Sequence, residues 1–111
     1  MTDLEMTKLA AEAMGYIVED TLGDLVRARY DYHTFSYLPL HDDAQAMALV
    51  KKLYISCWRS GEIALIAGQQ NPKPPRWYCT HPSLNQQGPS SQDLNRAIVE
   101  CVAQSQKREG G

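Results

Sequence analysis

Two stretches of this chain, residues 38–53 and 93–102, constrain its fold most, because each reads as an amphipathic helix with its own start signal. Asp42 followed by Gln45 is a capping-box pattern, after which Ala46, Met47, Leu49, Val50 and Leu53 recur at helical spacing. Lys51 and Lys52 stand where cations meet the negative end of the helix dipole. In the second stretch Leu94, Ala97, Ile98, Cys101 and Val102 share one stripe, and the polar run from Gln104 onward predicts a frayed end. A third helix opens the chain. Thr2 and Glu5 make another capping box, Leu4, Met6, Leu9, Ala10, Ala13 and Met14 supply apolar surface, and Gly15 suits the left-handed position past a helix end.

Strand signals fill the intervals. Tyr16-Ile17-Val18 is aromatic and β-branched, turn residues dominate 19–23, and residues 25–30 alternate imperfectly between apolar and charged positions, so a hairpin is expected. Residues 31–39 contain Tyr32, His33, Phe35 and Tyr37 and are expected to form an irregular aromatic loop. Residues 54–58 read as a strand, 59–61 as a tight turn and 62–67 as the returning partner, with a further short strand at 76–80. Residues 68–75 hold three prolines and read as an exposed loop, and residues 81–91 as another. Helix, strands, helix, hairpin, strand, helix is an α+β pattern: an antiparallel β-sheet with three helices packed on it as a layered sandwich.

A chain of 111 residues and 12.5 kDa fits one domain, expected over 1–106 with 107–111 as a disordered tail. A hydrophobic fraction of 43% with 22% charged residues is that of a globular protein. The net charge of −2 and pI near 5.8 supply no basic stripe for tracking phosphates, which disfavours bulk nucleic-acid binding. Cys57, Cys79 and Cys101 are an odd number without CxxC spacing, and two of them lie in apolar patterns, which points to a reducing compartment. No basic region followed by an apolar run opens the chain, and 63–67 is too short to span a bilayer, so neither secretion nor membrane insertion is expected.

The segments Thr2-Asp3-Leu4-Glu5 to Ala13-Met14-Gly15, Pro39-Leu40-His41-Asp42-Asp43-Ala44-Gln45-Ala46 and Leu94-Asn95-Arg96-Ala97-Ile98-Val99-Glu100 resemble the phage ABA-sandwich domain, a family of small phage and prophage proteins. The resemblance implies a sandwich of helices and sheet in a protein acting in the host bacterial cytoplasm. It carries no catalytic residues over, and the Pro-rich 68–75 loop stands outside its pattern.

His41, Asp42 and Asp43 offer metal-ligand or acid/base chemistry, but a helix start explains Asp42 as a cap and Asp43 as a favourable first-turn charge. Cys79 and His81 could supply two zinc ligands, without the second pair that a structural site needs. Cys57 or Cys79 with His33 or His81 would make a nucleophile and base only if folded together. GxSxG, GxxxxGK[ST] and GxGxxG are absent. The best binding group is Arg76, Trp77 and Tyr78 beside Lys73, with Trp58 and Tyr32 brought in from elsewhere, together with Arg27, Arg29 and Tyr30. Aromatic faces stack on bases and arginine forks match phosphates; the competing explanation makes the tryptophans core anchors and the arginines solvated sheet edges.

Three functions follow as expectations. The first is non-enzymatic sequestration of a nucleotide-derived host immune signal, with no cofactor and with a homo-oligomer as a natural way to build a site between small subunits. The second is inhibition of a host defence protein through an exposed aromatic patch. The third is a small hydrolase or metal-dependent enzyme using Cys79 or His81.

Overall fold

The computed structural model describes residues 1–60, 76–82 and 90–110. Helix α1 (Asp3–Ala13) begins at the expected box: the Glu5 amide donates to Thr2 Oγ1 at 3.1 Å and the Thr2 amide to Glu5 Oε2 at 3.3 Å. It ends in a Schellman arrangement, the Tyr16 amide reaching the Ala11 carbonyl at 2.9 Å and the Gly15 amide the Glu12 carbonyl at 3.0 Å. Gly15 takes φ +82, a conformation that a Cβ would strain.

Strands β1 (Ile17–Leu22), β2 (Leu25–Tyr30) and β3 (His33–Tyr37) form an antiparallel sheet in that order. β1 runs through most of the segment expected to turn, and Glu19 is the extra residue at a register shift between Val18 and Asp20. The actual turn is Gly23-Asp24, with Gly23 at φ +61 in the first central position of a two-residue hairpin loop. β3 corrects the irregular loop expected at 31–39. His33, Phe35 and Tyr37 alternate with Thr34 and Ser36, and the second hairpin turns on Asp31-Tyr32, where Asp31 adopts φ 59 without any glycine to announce it. Tyr16 fastens the inner side of this sheet, meeting Phe35, Tyr37 and Tyr30 edge-on at centroid distances of 5.0, 5.4 and 5.8 Å.

Helix α2 (Asp43–Leu53) is capped by Asp42, whose Oδ1 accepts from the Gln45 amide at 3.0 Å. The Gln45 side chain does not reach back to complete the box. Its Oε1 accepts from the Leu38 amide at 2.6 Å and its Nε2 donates to the Ser36 carbonyl at 2.8 Å, tying the helix start to the end of β3. Tyr54, expected to open a strand, instead terminates α2 in the left-handed conformation, φ 57 and ψ 42. The following strand is therefore displaced to β4 (Ser56–Ser60).

β4, β5 (Arg76–Thr80) and β6 (Ser90–Ser91) make a second antiparallel sheet, so among the described residues the strands form two sheets where one is expected. The hairpin partner expected at 62–67, the Pro-rich loop and most of the 81–91 loop lie outside the described residues. Helix α3 (Leu94–Gly110) starts with the Arg96 amide on Asp93 Oδ2 at 3.1 Å and runs past Gln104, where fraying is expected; Ser105 is itself buried. Ala97, Ile98, Val99, Cys101, Val102 and Ala103 are all at most 1% exposed, too many sides of one helix for a single stripe. α3 is the central element: it packs on α1, α2, β5 and β6, while α1 also covers β1 and β2, so the helices bridge the two sheets of one α+β sandwich domain. Polar clasps fix the helix pairs. Arg96 Nη2 lies 2.9 Å from both carboxylate oxygens of Asp3, Asn95 donates to Asp43 Oδ1 at 2.8 Å, and Lys52 donates to the Met14 carbonyl at 2.6 Å.

Candidate functional site

In the second sheet Trp58 stands opposite Tyr78 and Ser60 opposite Arg76, and Tyr78 in turn faces Ser90. Directly paired residues share a face and alternate with their neighbours, which puts Trp58, Tyr78, Arg76 and Ser90 on one side. Cys57, Arg59, Trp77, Cys79 and Ser91 occupy the other. The second side meets the helices: Cys79 is fully buried, Ser91 is 8% exposed, and Cys57 and Trp77 pack against the core. The first side is the outer one.

On that outer side the Trp58 and Tyr78 rings stack with centroids 5.9 Å apart and planes inclined by 13°. Trp58 remains 40% exposed, and a large aromatic left open on a sheet face presents a π surface to solvent. Arg76, one side-chain step along β5 on the same face, is held by its fork: Nε donates to Ser90 Oγ at 3.0 Å and Nη2 to the Ser90 carbonyl at 2.9 Å. β6 thereby orients the guanidinium beside the aromatic pair.

The structure thus brings together Arg76, Tyr78 and Trp58 and separates the remaining expected binding residues from them. Trp77 is on the helix-facing side, with the Arg59 guanidinium 5.7 Å from its ring centroid. Tyr32, 92% exposed, belongs to the β2–β3 turn of the other sheet. Arg29 pairs with Glu19 at 2.6 Å, and Tyr30 lies edge-on to Tyr16. Lys73 lies outside the described residues. Ser90 is the participant that sequence reasoning missed, since a serine in a polar loop carries no strand signal.

The cysteines also come together. Cys57 and Cys79 are cross-strand partners with sulfurs 3.1 Å apart, Cys79 fully buried and Cys57 half-buried. The hydrogen bond between the two sulfurs lowers the pKa of Cys57 against an opposing effect of burial, and the same bond, with burial, raises that of Cys79. Burial pushes Cys101 up to about 12, with a further contribution from the charge of Cys57. Cys79 thus faces the Cys57 thiol. Among the described residues no group of three or more His, Cys, Asp or Glu side chains is arranged to hold a metal ion, and no helix is long and apolar enough to cross a membrane. No family model, curated protein or solved structure matches the chain.

Proposed function

We propose that this is a non-enzymatic phage or prophage accessory protein that binds and holds a nucleotide-derived host immune signal, and that the outer face of the β4–β5 sheet receives it. The observation that supports this reading is the near-parallel Trp58–Tyr78 pair beside the Ser90-oriented Arg76. A base can stack on the open ring of Trp58 while a phosphate approaches the guanidinium, the two halves of a nucleotide meeting the two chemistries that suit them. The phage setting and host cytoplasm rest on the resemblance of the three capped-helix segments to the ABA-sandwich domain.

The test is calorimetry against linear nucleotides, cyclic di- and trinucleotides and cyclic ADP-ribose isomers, with recovered ligand checked for chemical change. Binding with intact recovery is expected. A stacked base contributes about 1–3 kcal/mol, so Trp58→Ala should weaken binding by about 5- to 150-fold. Tyr32→Ala, on the other sheet, should leave it unchanged. A chemically altered ligand would instead establish an enzyme. A panel without binding would shift the reading to a host protein as target, for which the exposed Tyr30 and Tyr32 around the β2–β3 turn offer an aromatic anchor.

A further inference from the structure

Cys57 and Cys79 are placed for more than packing. Their sulfurs lie 3.1 Å apart, in direct hydrogen-bonding contact across the strand pair. Directly opposite residues of an antiparallel pair have Cα atoms about 4.5–5.5 Å apart, within the span of about 4.4–6.8 Å that a disulfide bridges, so closure needs no movement of the strands. The two sulfurs also differ in access, Cys57 half-buried and Cys79 sealed beneath the sheet.

We propose that Cys57 and Cys79 form a reversible cross-strand disulfide site that reacts with low-molecular-weight disulfides such as oxidised glutathione, Cys57 attacking first and Cys79 resolving. In the first step the Cys57 thiolate attacks one sulfur of the small disulfide, forming a mixed disulfide and releasing one small thiolate. In the second, Cys79 loses its proton and attacks Cys57 Sγ, forming the Cys57–Cys79 bond and expelling the second small thiolate. The two protons lost by the cysteines end on the two released thiols. The protein is oxidised by two electrons and the small disulfide reduced by two.

The division of roles follows from the asymmetry of the pair: exchange requires a thiolate with access, and hydrogen bonding with Cys79 favours the thiolate at Cys57. Cys101, fully buried on α3 with its thiol pushed up to about 12, is the spectator. The bond would join β4 to β5 between the rows that carry Ser56–Thr80 and Trp58–Tyr78, fixing the strand pair whose outer face bears the aromatic stack.

The full-length protein is incubated under native conditions with oxidised glutathione, then denatured, alkylated and mapped by mass spectrometry. Of the three thiols per chain, two should be lost and one retained, with the linkage joining Cys57 to Cys79 within one chain. Cys101→Ser should behave as the wild type. Cys79→Ser should stop at the first step and accumulate glutathione on Cys57, whereas Cys57→Ser should leave Cys79 unmodified. Retention of all three thiols in the wild type, a bond that includes Cys101 or a second chain, or glutathione on Cys79 rather than Cys57 would overturn the proposal.

Discussion

Replacing Tyr37 by Phe should stabilise this protein. The Tyr37 side chain is 2% exposed and its hydroxyl is buried without a hydrogen-bond partner among the described residues. Desolvating a hydroxyl without a compensating bond costs about 1–3 kcal/mol. Phe removes that oxygen and keeps the ring that meets Tyr16 at 5.4 Å and Phe35 at 6.3 Å, so the contacts on both sides of the ring survive. A gain of about 1 kcal/mol, divided by an unfolding entropy of about 2.1 cal/mol/K per residue over 111 residues, raises Tm by about 4 °C. Tyr37→Ala, which also removes the ring, should cost about 3–5 kcal/mol.

The pH dependence gives a second readout. Burial first, and then the neighbouring Tyr16, raises the pKa of Tyr37 well above the ordinary 10.0. The folded state therefore favours the protonated hydroxyl; that contribution is complete below pH 10 and is lost as pH rises from there towards the folded value. The variant has no proton to lose at this position, so its advantage over the wild type should widen above pH 10 by up to about 1.4 kcal/mol per pH unit. Thermal unfolding followed by circular dichroism between pH 8 and 11 measures both effects. A Tm for Tyr37→Phe several degrees below the wild type at pH 8 would show that the hydroxyl is satisfied in solution and refute the reasoning.

Gln45→Ala should remove both bonds to the β3 end and cost about 2 kcal/mol, seen as a Tm lower by about 8 °C; a change under about 2 °C would mean that water replaces them without loss. Tyr54→Gly should raise stability by about 1 kcal/mol in urea unfolding, because the residue holds φ 57 and its side chain is 79% exposed, leaving little packing to lose.

The parts of the fold legible in the sequence were those fixed by short-range chemistry. Thr2 with Glu5, Asp42 with Gln45 and Gly15 act within one turn of their own backbone, and all three helix starts and the α1 stop follow from such contacts or from Asp93 in the same role. β3 was missed for a different reason. Its alternation is present in His33-Thr34-Phe35-Ser36-Tyr37, but the turn before it, Asp31-Tyr32, lacks the Gly or Asn-Gly that marks a hairpin, so the aromatic run reads as a loop. Tyr54 misleads in the opposite direction: an aromatic before Ile55 suggests a strand, yet the end of α2 holds it in a left-handed conformation that glycine usually takes. The second bond of the Asp42-Gln45 pattern went elsewhere because the Leu38 amide and Ser36 carbonyl lay within reach, a long-range competition that no local spacing reveals.

The candidate site turned on parity and register, neither of which a contiguous motif contains. Arg76-Trp77-Tyr78 looks like one cluster in the sequence, but a strand sends Trp77 to the helices and its two neighbours to the open face. Trp58 and Tyr78, far apart in the chain, become the pair because β4 and β5 align Ser56 with Thr80; a slip of one residue would break it. The same alignment sets Cys57 against Cys79, so the thiols report on the stack. An intrachain Cys57–Cys79 bond formed without denaturant would establish in solution the register that aligns Trp58 with Tyr78. If that bond forms and Trp58→Ala still leaves ligand binding intact, the strand pairing is right and the assignment of the ligand to this face is wrong.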